Sequence, residues 1–211
     1  MPLSTAFATL QELTRHKPAG EHCDLCSVSL TAGHEHLVEP ARRRVVCVCL
    51  PCAILFSAQS GQRYKRVPKE MRALADFRMS DANWESLTVP INLAFFFRNG
   101  ETGGITALFP SPGGATESVV PIETWELIRA DNPVLQALQP DIEALLVNRL
   151  GSQRGFAEHQ YFLAPIDECF KLVGLVRANW RGLSGGDDLW CVLREFFTDL
   201  TRRSAGEVHY A

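Results

Sequence analysis

Cys23-Asp24-Leu25-Cys26 and Cys49-Leu50-Pro51-Cys52 are two Cys-x-x-Cys pairs separated by 22 residues. Each pair can fold as a tight knuckle whose two thiolates converge on one cation, and two knuckles complete a tetrahedron. A metal bound in this way also supplies folding free energy to a segment that is too short to bury a core of its own. The sequence therefore predicts one metal ion bound by four thiolates, those of Cys23, Cys26, Cys49 and Cys52.

Other potential metal ligands lie near the two cysteine pairs, so the identity of the four ligands is not fixed by the sequence. The spacing between the pairs exceeds the usual zinc window of about 15 to 20 residues. Cys47 precedes the second pair in a predicted strand, and it is either a neighbour of the site or a replacement ligand; the loop geometry of a Cys-x-x-Cys pair favours the neighbour. His22, His34 and His36 also permit a Cys3His set, which ranks second because four cysteines already complete the shell. Without a metal, the cysteines would be unligated thiols.

Zinc is the preferred metal, and a single iron ion is the alternative, because four thiolates hold either one. Pro51 lacks an N–H inside the second knuckle, and amide hydrogen bonds to sulfur are one of the means by which proteins tune an iron site. Ser27 and Ala53 stand where a glycine would ease the backbone around each knuckle. These features favour a structural zinc over a redox-active iron.

The first 57 residues have the outline of a zinc ribbon. Apolar spacing predicts a helix over residues 3–16, and strands are predicted at 36–38 and 45–48, joined by a polar turn at 39–43. A helical turn is expected at 53–56, after the last cysteine of the second pair. We assign residues 1–57 to an N-terminal helix plus a four-Cys zinc-ribbon-like module and residues 58–211 to an α+β body.

The body is predicted as a mixture of helices and strands. The apolar run at 91–97 indicates a strand buried on both faces, and 105–109 is expected to pair with it across a glycine-containing turn. Proline and Ser80 mark helix starts, and Trp125 with Leu127 or Ile128 is expected to face the core. Further strands are expected at 117–120 and 161–163, and helices at 68–77, 80–87, after Pro121, 133–138, 140–150, 166–180 and toward the C-terminus from about 189.

The predicted fold class is α+β. It consists of a zinc-ribbon-like module followed by a mixed α+β body with a small antiparallel sheet and C-terminal helices.

Composition indicates a globular chain in a reducing compartment. The chain has 211 residues, of which 46% are hydrophobic and 21% charged, enough to bury a core. Seven cysteines, an odd number, point to metal and free thiols rather than to a disulfide framework, with Cys169 and Cys191 expected to be structural thiols. No signal-peptide pattern and no apolar run of membrane-spanning length is evident. A cytoplasmic protein is expected, and the oligomeric state is left open.

Two segments are candidates for an anion-binding or partner-binding surface. Residues 15–78 hold 11 Lys and Arg against 6 Asp and Glu, although the whole chain carries a net charge of −3. Arg42, Arg43 and Arg44 would be the centre of this basic region, but aromatic residues that stack on nucleic-acid bases are scarce around them. Free amides in the second segment, Ser184, Gly185 and Gly186, could bind an anion beside Arg181, although the aspartates that follow oppose it.

No catalytic motif is present in the sequence, so an enzyme is the weaker expectation. Asp167 and Glu168 are adjacent in a predicted helix start, where neighbouring side chains point apart and their charge favours the helix N-terminus. No nucleophile and base occur at a spacing typical of a known active site.

A family resemblance extends over nearly the whole chain. The stretches CDLC, HEHLVEP, CVCLPCAILF, LAFFFRNG, LFPSPGGATES, PIDECFKLVGLVR and NWRGLSGG resemble those of an uncharacterised bacterial family. Its cysteine pattern corresponds to Cys23, Cys26, Cys47, Cys49 and Cys52, and its terminal WRGxSGG segment to residues 180–186. Ser27 stands where this family usually has glycine. The resemblance implies a neighbourhood of [NiFe]-hydrogenase genes, and it implies no particular reaction.

Three functions are therefore compatible with the sequence. The preferred one is a non-catalytic accessory or adaptor protein with a structural zinc site, which binds a protein partner such as a hydrogenase subunit or maturation factor. The second is a rubredoxin-like electron carrier with one iron in the same cysteines. The third, weaker because the basic region is small, is a zinc-ribbon nucleic-acid binder.

Overall fold

A computed structural model describes residues 20–57, 63–151, 154–156, 159–182 and 185–205. Its first part is a three-stranded antiparallel sheet of order β2-β1-β3, formed by β1 (Glu35–Glu39), β2 (Arg44–Val48) and β3 (Lys65–Arg66). A 3-10 turn at Pro40–Arg42 joins β1 to β2, and Arg43 closes it in the left-handed region at φ 49°. The two predicted strands and their polar turn are confirmed. The predicted helix at 3–16 lies outside the described residues.

The two faces of this small sheet contact different parts of the molecule. Side chains alternate along a strand, so Leu37, Val46 and Val48 share one face, where they pack with Cys23, Cys52 and Ala53. Val38 and Val45 lie on the other face and pack against the core of the body. Helix α1 (Leu50–Ser57) begins directly after β2 and Cys49. The small sheet therefore lies between the cysteine pairs and the body.

The body is built on a six-stranded antiparallel sheet. Its strands are β4 (Arg72–Ala73), β5 (Leu93–Arg98), β6 (Ile105–Ser111), β7 (Gly114–Ser118), β8 (Glu143–Asn148) and β9 (Gln160–Pro165). Their order in the sheet is β4-β9-β8-β5-β6-β7. Its strand β5 is buried on both faces, as the apolar run predicts, and pairs with β6 across the expected turn.

Helices cover both faces of the large sheet. On one face, Phe95 and Phe97 pack against the long helices α4 (Ile166–Asn179) and α5 (Asp187–Ala205). On the other face, Phe96 lies against Trp84 of α2 (Asp81–Ser86) and Trp125 of α3 (Ile122–Asp131). The predicted cap of α2 is present, because the Ser80 hydroxyl accepts a hydrogen bond from the Asn83 N–H at 3.1 Å. The mixed α+β body and its C-terminal helices agree with the sequence prediction.

Two predicted helices are wrong. The helix predicted at 140–150 is replaced by strand β8 (Glu143–Asn148), which lies in the middle of the sheet between β5 and β9 and has fully buried apolar side chains. Residues 68–77 contain the short edge strand β4, which pairs with β9. In both places, pairing with neighbouring strands supplies the backbone hydrogen bonds that the predicted helix would have made internally.

Several single-residue expectations also have clear outcomes. Cys169 is fully buried, as predicted, whereas Cys191 is exposed and so is no core thiol. Leu127 was one of two residues predicted for the inner face of α3, but only Ile128 is buried, and Leu127 is 61% exposed. Among the described residues, no helix combines the length and apolarity needed to cross a bilayer.

Candidate metal centre

The first knuckle, Cys23–Cys26, is closed by backbone hydrogen bonds. The Ser27 N–H donates to the Cys23 carbonyl at 2.8 Å, and the Cys23 N–H donates to the Val28 carbonyl at 2.8 Å. Ser27 has φ 62°, a left-handed conformation that glycine adopts without strain. The sequence-based expectation that a glycine would ease the backbone at this position is therefore confirmed.

The second knuckle is joined to a helix. Cys49 ends the connection from β2, and its carbonyl accepts a hydrogen bond from the Ala53 N–H at 2.9 Å. Cys52 lies in the first turn of α1 and is buried. Pro51 also lies in this first turn, where a helix has no internal acceptor for an N–H, so the missing donor costs nothing.

Asp24 holds the first knuckle against the small sheet. Its N–H donates to the Cys47 carbonyl at 2.8 Å, and one oxygen of its carboxylate, Oδ2, accepts from the Cys47 N–H at 2.8 Å. These reciprocal bonds fix the first knuckle beside the end of β2, two residues before Cys49. The two knuckles are therefore brought together by the sheet, although 22 residues separate them in the chain.

The four sulfur atoms converge. The Sγ atoms of Cys23, Cys26, Cys49 and Cys52 all lie within 4.8 Å of one another, and those of Cys26 and Cys49 are 3.6 Å apart. Four thiolates at about 2.3 Å from a tetrahedral zinc would stand about 3.8 Å apart, whereas a disulfide requires about 2.05 Å. All seven cysteines are free thiols. The donor set and its spacing therefore fit a four-thiolate metal site.

Without a cation, the surroundings of the cluster favour ionisation of Cys23 and oppose ionisation of Cys26 and Cys52. Burial opposes ionisation of Cys23, but the backbone N–H groups of Cys49, Leu25 and Cys26 outweigh it and lower the pKa of Cys23 to about 6. Burial and the neighbouring sulfurs raise the pKa of Cys52. The Val28 N–H favours the Cys26 thiolate, yet contacts with the Cys23 and Cys49 sulfurs raise the pKa of Cys26. A bound cation would relieve this repulsion between sulfurs.

A second group of metal-type ligands lies on the other face of the small sheet. His34, His36 and Cys47 each offer one ligand atom within 4.8 Å of the others. His36 and Cys47 are direct cross-strand partners in the register of β1 and β2. Two-residue periodicity brings His34 to the same side as His36. The structure thus groups these three residues with one another, apart from the four cysteines.

A model of the family described as "Family of unknown function (DUF5947)" matches residues 22–204. The chain belongs to this DUF5947 family. Both cysteine pairs, the two histidines on the small sheet and the whole body sheet lie inside the matched range. No curated protein and no solved structure matches this DUF5947 protein.

The arginines of the predicted surface lie in and next to the turn of the small sheet. Arg42 contacts Glu39 at 3.5 Å, and Arg43 contacts Glu117 of β7 at 2.5 Å. Arg44 is exposed at the start of β2. Carboxylates therefore offset two of the three charges proposed for an anionic partner.

The second predicted surface follows α4. Arg181 and Gly185 form an antiparallel bridge, in which the Arg181 N–H donates to the Gly185 carbonyl at 3.0 Å. Gly185 and Gly186 both have positive φ angles, which suits this tight loop. Ser184 lies outside the described residues. The Arg181 guanidinium donates to the carbonyls of Ala178 and Trp180 at 3.2 and 2.9 Å.

Sequence reasoning missed one residue beside the second group. Asp167, interpreted from the sequence only as a helix-start charge, places its Oδ2 2.6 Å from the His36 Nδ1. This contact raises the pKa of His36 despite its partial burial. The residues are 131 positions apart in the chain, so no local pattern links them.

Proposed function

We propose that this DUF5947 protein is a non-catalytic accessory protein whose four-cysteine cluster binds a structural zinc in a zinc-ribbon-like module. The observation that carries the proposal is the convergence of two separate knuckles to a Cys26–Cys49 sulfur distance of 3.6 Å. A cation bound by both pairs of thiols stabilises their convergence from distant parts of the chain.

The surroundings of the cluster favour a structural role. Four protein ligands leave a tetrahedral ion no open position for a substrate. The apolar residues packed with the cysteines are few, and they include Leu37, Val46 and Val48. A core of this size gains a large part of its stability from a metal.

Iron remains the second candidate because of one observation. Backbone N–H groups point at the sulfurs of Cys23 and Cys26 in the first knuckle. Such hydrogen bonds help to set the potential of an iron–thiolate site. A rubredoxin-like electron carrier would therefore use the same four cysteines.

The apolar surface of α1 supports the protein-binding part of the proposal. Leu50, Ile54, Leu55 and Phe56 are between 41% and 61% exposed on this eight-residue helix. Clusters of exposed apolar side chains of this kind are typical of interaction sites. The resemblance to proteins encoded near [NiFe]-hydrogenase genes makes a hydrogenase subunit or maturation factor the first partner to test.

Nucleic acid is the weaker partner. Besides the pairs of Arg42 and Arg43, Lys65 contacts Asp141 at 2.7 Å and Arg66 contacts Glu35 at 2.9 Å. Cations already paired with carboxylates contribute less to the release of counterions from a phosphate backbone.

The metal is tested first, by elemental analysis and a visible spectrum of protein purified anaerobically without added metal. We expect colourless protein with zinc, and loss of that zinc from the Cys23→Ser/Cys49→Ser variant. Iron with thiolate charge-transfer bands would replace the accessory function by electron transfer. Protein that folds and binds its partners unchanged after both substitutions would refute the metal-dependent module.

The partner surface is tested by affinity capture with hydrogenase subunits and maturation factors. We expect Ile54→Asp/Leu55→Asp to abolish capture without loss of zinc. Val119→Asp is the matched control, because Val119 is 84% exposed and lies in the body. Capture unaffected by the α1 variant would refute this surface, and light scattering that shows a dimer dispersed by the same variant would assign α1 to a second copy instead.

A further inference from the structure

Two histidines and a cysteine on the body-facing side of the small sheet form a ligand set separate from the four cysteines. His34 directly precedes β1, His36 lies in β1, and Cys47 lies in β2. Val38 and Val45, on the same face, pack against the core of the body. The three side chains are therefore held between the small sheet and the body, in partly buried positions.

Each histidine has one ring nitrogen engaged and one left for a ligand. The Nδ1 of His34 lies 3.2 Å from the Thr31 carbonyl, and the Nδ1 of His36 lies 2.6 Å from the Asp167 carboxylate. An Nδ1–H that donates to a carbonyl or carboxylate fixes the neutral tautomer whose Nε2 carries the lone pair. Metal-binding histidines are held in this manner by their outer partners.

His34 supplies an independent sign that something is bound here. Its side chain is only 10% exposed, and its Nε2 has no hydrogen-bond partner among the described residues. A buried polar atom without a partner costs about 1 to 3 kcal/mol. A metal ion ligated by this nitrogen would remove that cost.

The space beside the histidines leaves room for a further ligand. A cavity of about 230 Å³ is lined by His34, His36 and Asp167, among others. Three protein ligands with a fourth position open to a cavity are typical of catalytic rather than structural zinc sites. One thiolate and two imidazoles suit a borderline divalent cation such as zinc better than calcium or magnesium.

We propose that His34, His36 and Cys47 form a second metal site for a zinc-class divalent cation, with Asp167 as the positioning residue for His36. The ion's fourth position opens to the cavity and takes water or a small ligand with a lone pair. The inference goes beyond the proposed structural zinc, because the ligands differ and lie on the opposite face of the small sheet.

The test is a titration of metal-free, reduced full-length protein with Co²⁺, followed by competition with Zn²⁺. We expect two equivalents for the wild-type protein, one with the strong charge-transfer bands of four thiolates and one with the weaker bands of a single thiolate. His34→Ala/His36→Ala should bind one equivalent and keep the four-thiolate spectrum. His159→Ala is the matched control, because His159 lies outside the group, and it should still bind two equivalents.

Asp167→Asn separates the positioning role from folding. The asparagine keeps a side-chain oxygen beside His36, so the fold should persist, while affinity for the second equivalent falls about 10- to 100-fold. Cys47→Ser is the second ligand variant, should the double histidine variant not fold, and it should also bind one equivalent. Wild-type protein that binds only at the four cysteines, a double histidine variant that still binds two ions, or an unchanged second affinity in Asp167→Asn would each overturn the corresponding assignment.

The outcomes also distinguish this site from the structural zinc. If the four-thiolate spectrum never forms but one equivalent binds and is lost in the histidine variant, the proposed function fails and the second site stands. If only the four-thiolate site forms, the second site is refuted and the proposed structural zinc site stands.

Discussion

The small sheet and the large sheet of this protein differ in the side chains that pack against them. The large sheet has an apolar core on both faces, with Phe96 between two tryptophans on one side and Phe95 against two long helices on the other. The small sheet has the four cysteines on one face, and its apolar cluster includes Cys23 and Cys52. Apolar burial is thus extensive on both faces of the body sheet, and we expect the small sheet to depend in addition on a metal bound by its thiols.

The largest effect that would test this contrast is loss of the proposed four-thiolate metal site. Cys23→Ser/Cys49→Ser should eliminate an apparent binding free energy on the order of 10 kcal/mol, since structural zinc in small modules contributes about 10 to 16 kcal/mol. We expect rapid amide hydrogen exchange in β1 and β2 and unchanged protection in β5 and β8. Hydrogen exchange followed by mass spectrometry measures both regions in one sample.

Cys191→Ser is the control for this measurement, because Cys191 is exposed on α5 and lies outside both ligand groups. It should leave protection unchanged everywhere. Loss of protection in the body of the double-serine variant would show that the two regions unfold as one unit, and the contrast would be wrong.

A core truncation tests the other half of the comparison. Phe96 is fully buried, with its ring centre 6.1 Å from that of Trp84 and 5.8 Å from that of Trp125. Phe96→Ala should lower the free energy of unfolding of the body by about 3 to 5 kcal/mol, because it removes apolar contacts and leaves a cavity. Urea denaturation monitored by tryptophan fluorescence measures the change, and the folded protein should bind as much metal as before.

Phe56→Ala is the same substitution at a position that is 41% exposed on α1. It should change stability by no more than about 0.5 to 1 kcal/mol. A loss in Phe96→Ala as small as the one expected for Phe56→Ala would mean that the body does not depend on the core around Phe96.

The smallest effect concerns the backbone of the first knuckle. Ser27→Gly removes the strain of a left-handed serine at φ 62°, worth about 1 kcal/mol, partly offset by the greater entropy of glycine in the unfolded chain. We expect a gain of a few tenths of a kcal/mol in the stability of the metal-bound module, measured as slower release of zinc to a chelator. Ser29→Gly, nearby but outside the positive-φ positions, should release zinc no more slowly than the wild type.

The sequence predicted the parts of the fold in which local signals and tertiary contacts agree. The apolar run of β5, the capped start of α2 and the two strands of the small sheet all fall in this class. Residues 143–148 do not belong to this class. Their local signals predict a helix, because Glu-Ala-Leu-Leu has a high helix propensity and Pro140 is a typical helix start. Pairing with β5 and β9 on both sides overrides that preference, and such pairing is non-local.

The candidate site was predictable to different degrees on the two faces of the small sheet. The convergence of Cys23, Cys26, Cys49 and Cys52 agrees with the Cys-x-x-Cys spacing. The grouping of Cys47 with the histidines follows from the register of β1 and β2, and the available signal was a His-x-His pattern that ends at the first residue of the strand predicted at 36–38. Asp167 could not be found, because only the packing of α4 against the small sheet brings it to His36.

The turn at Pro40–Arg42, closed by left-handed Arg43, also determines how the chain tolerates changes in length. Strand side chains alternate, so one inserted residue would shift β2 by one position and exchange its two faces. Cys47 would then point away from the histidines, and valines would take its place. A change of side chain at exposed Arg42 should be harmless, whereas a one-residue insertion beside it should separate Cys47 from its partners while leaving every amino acid of the group intact.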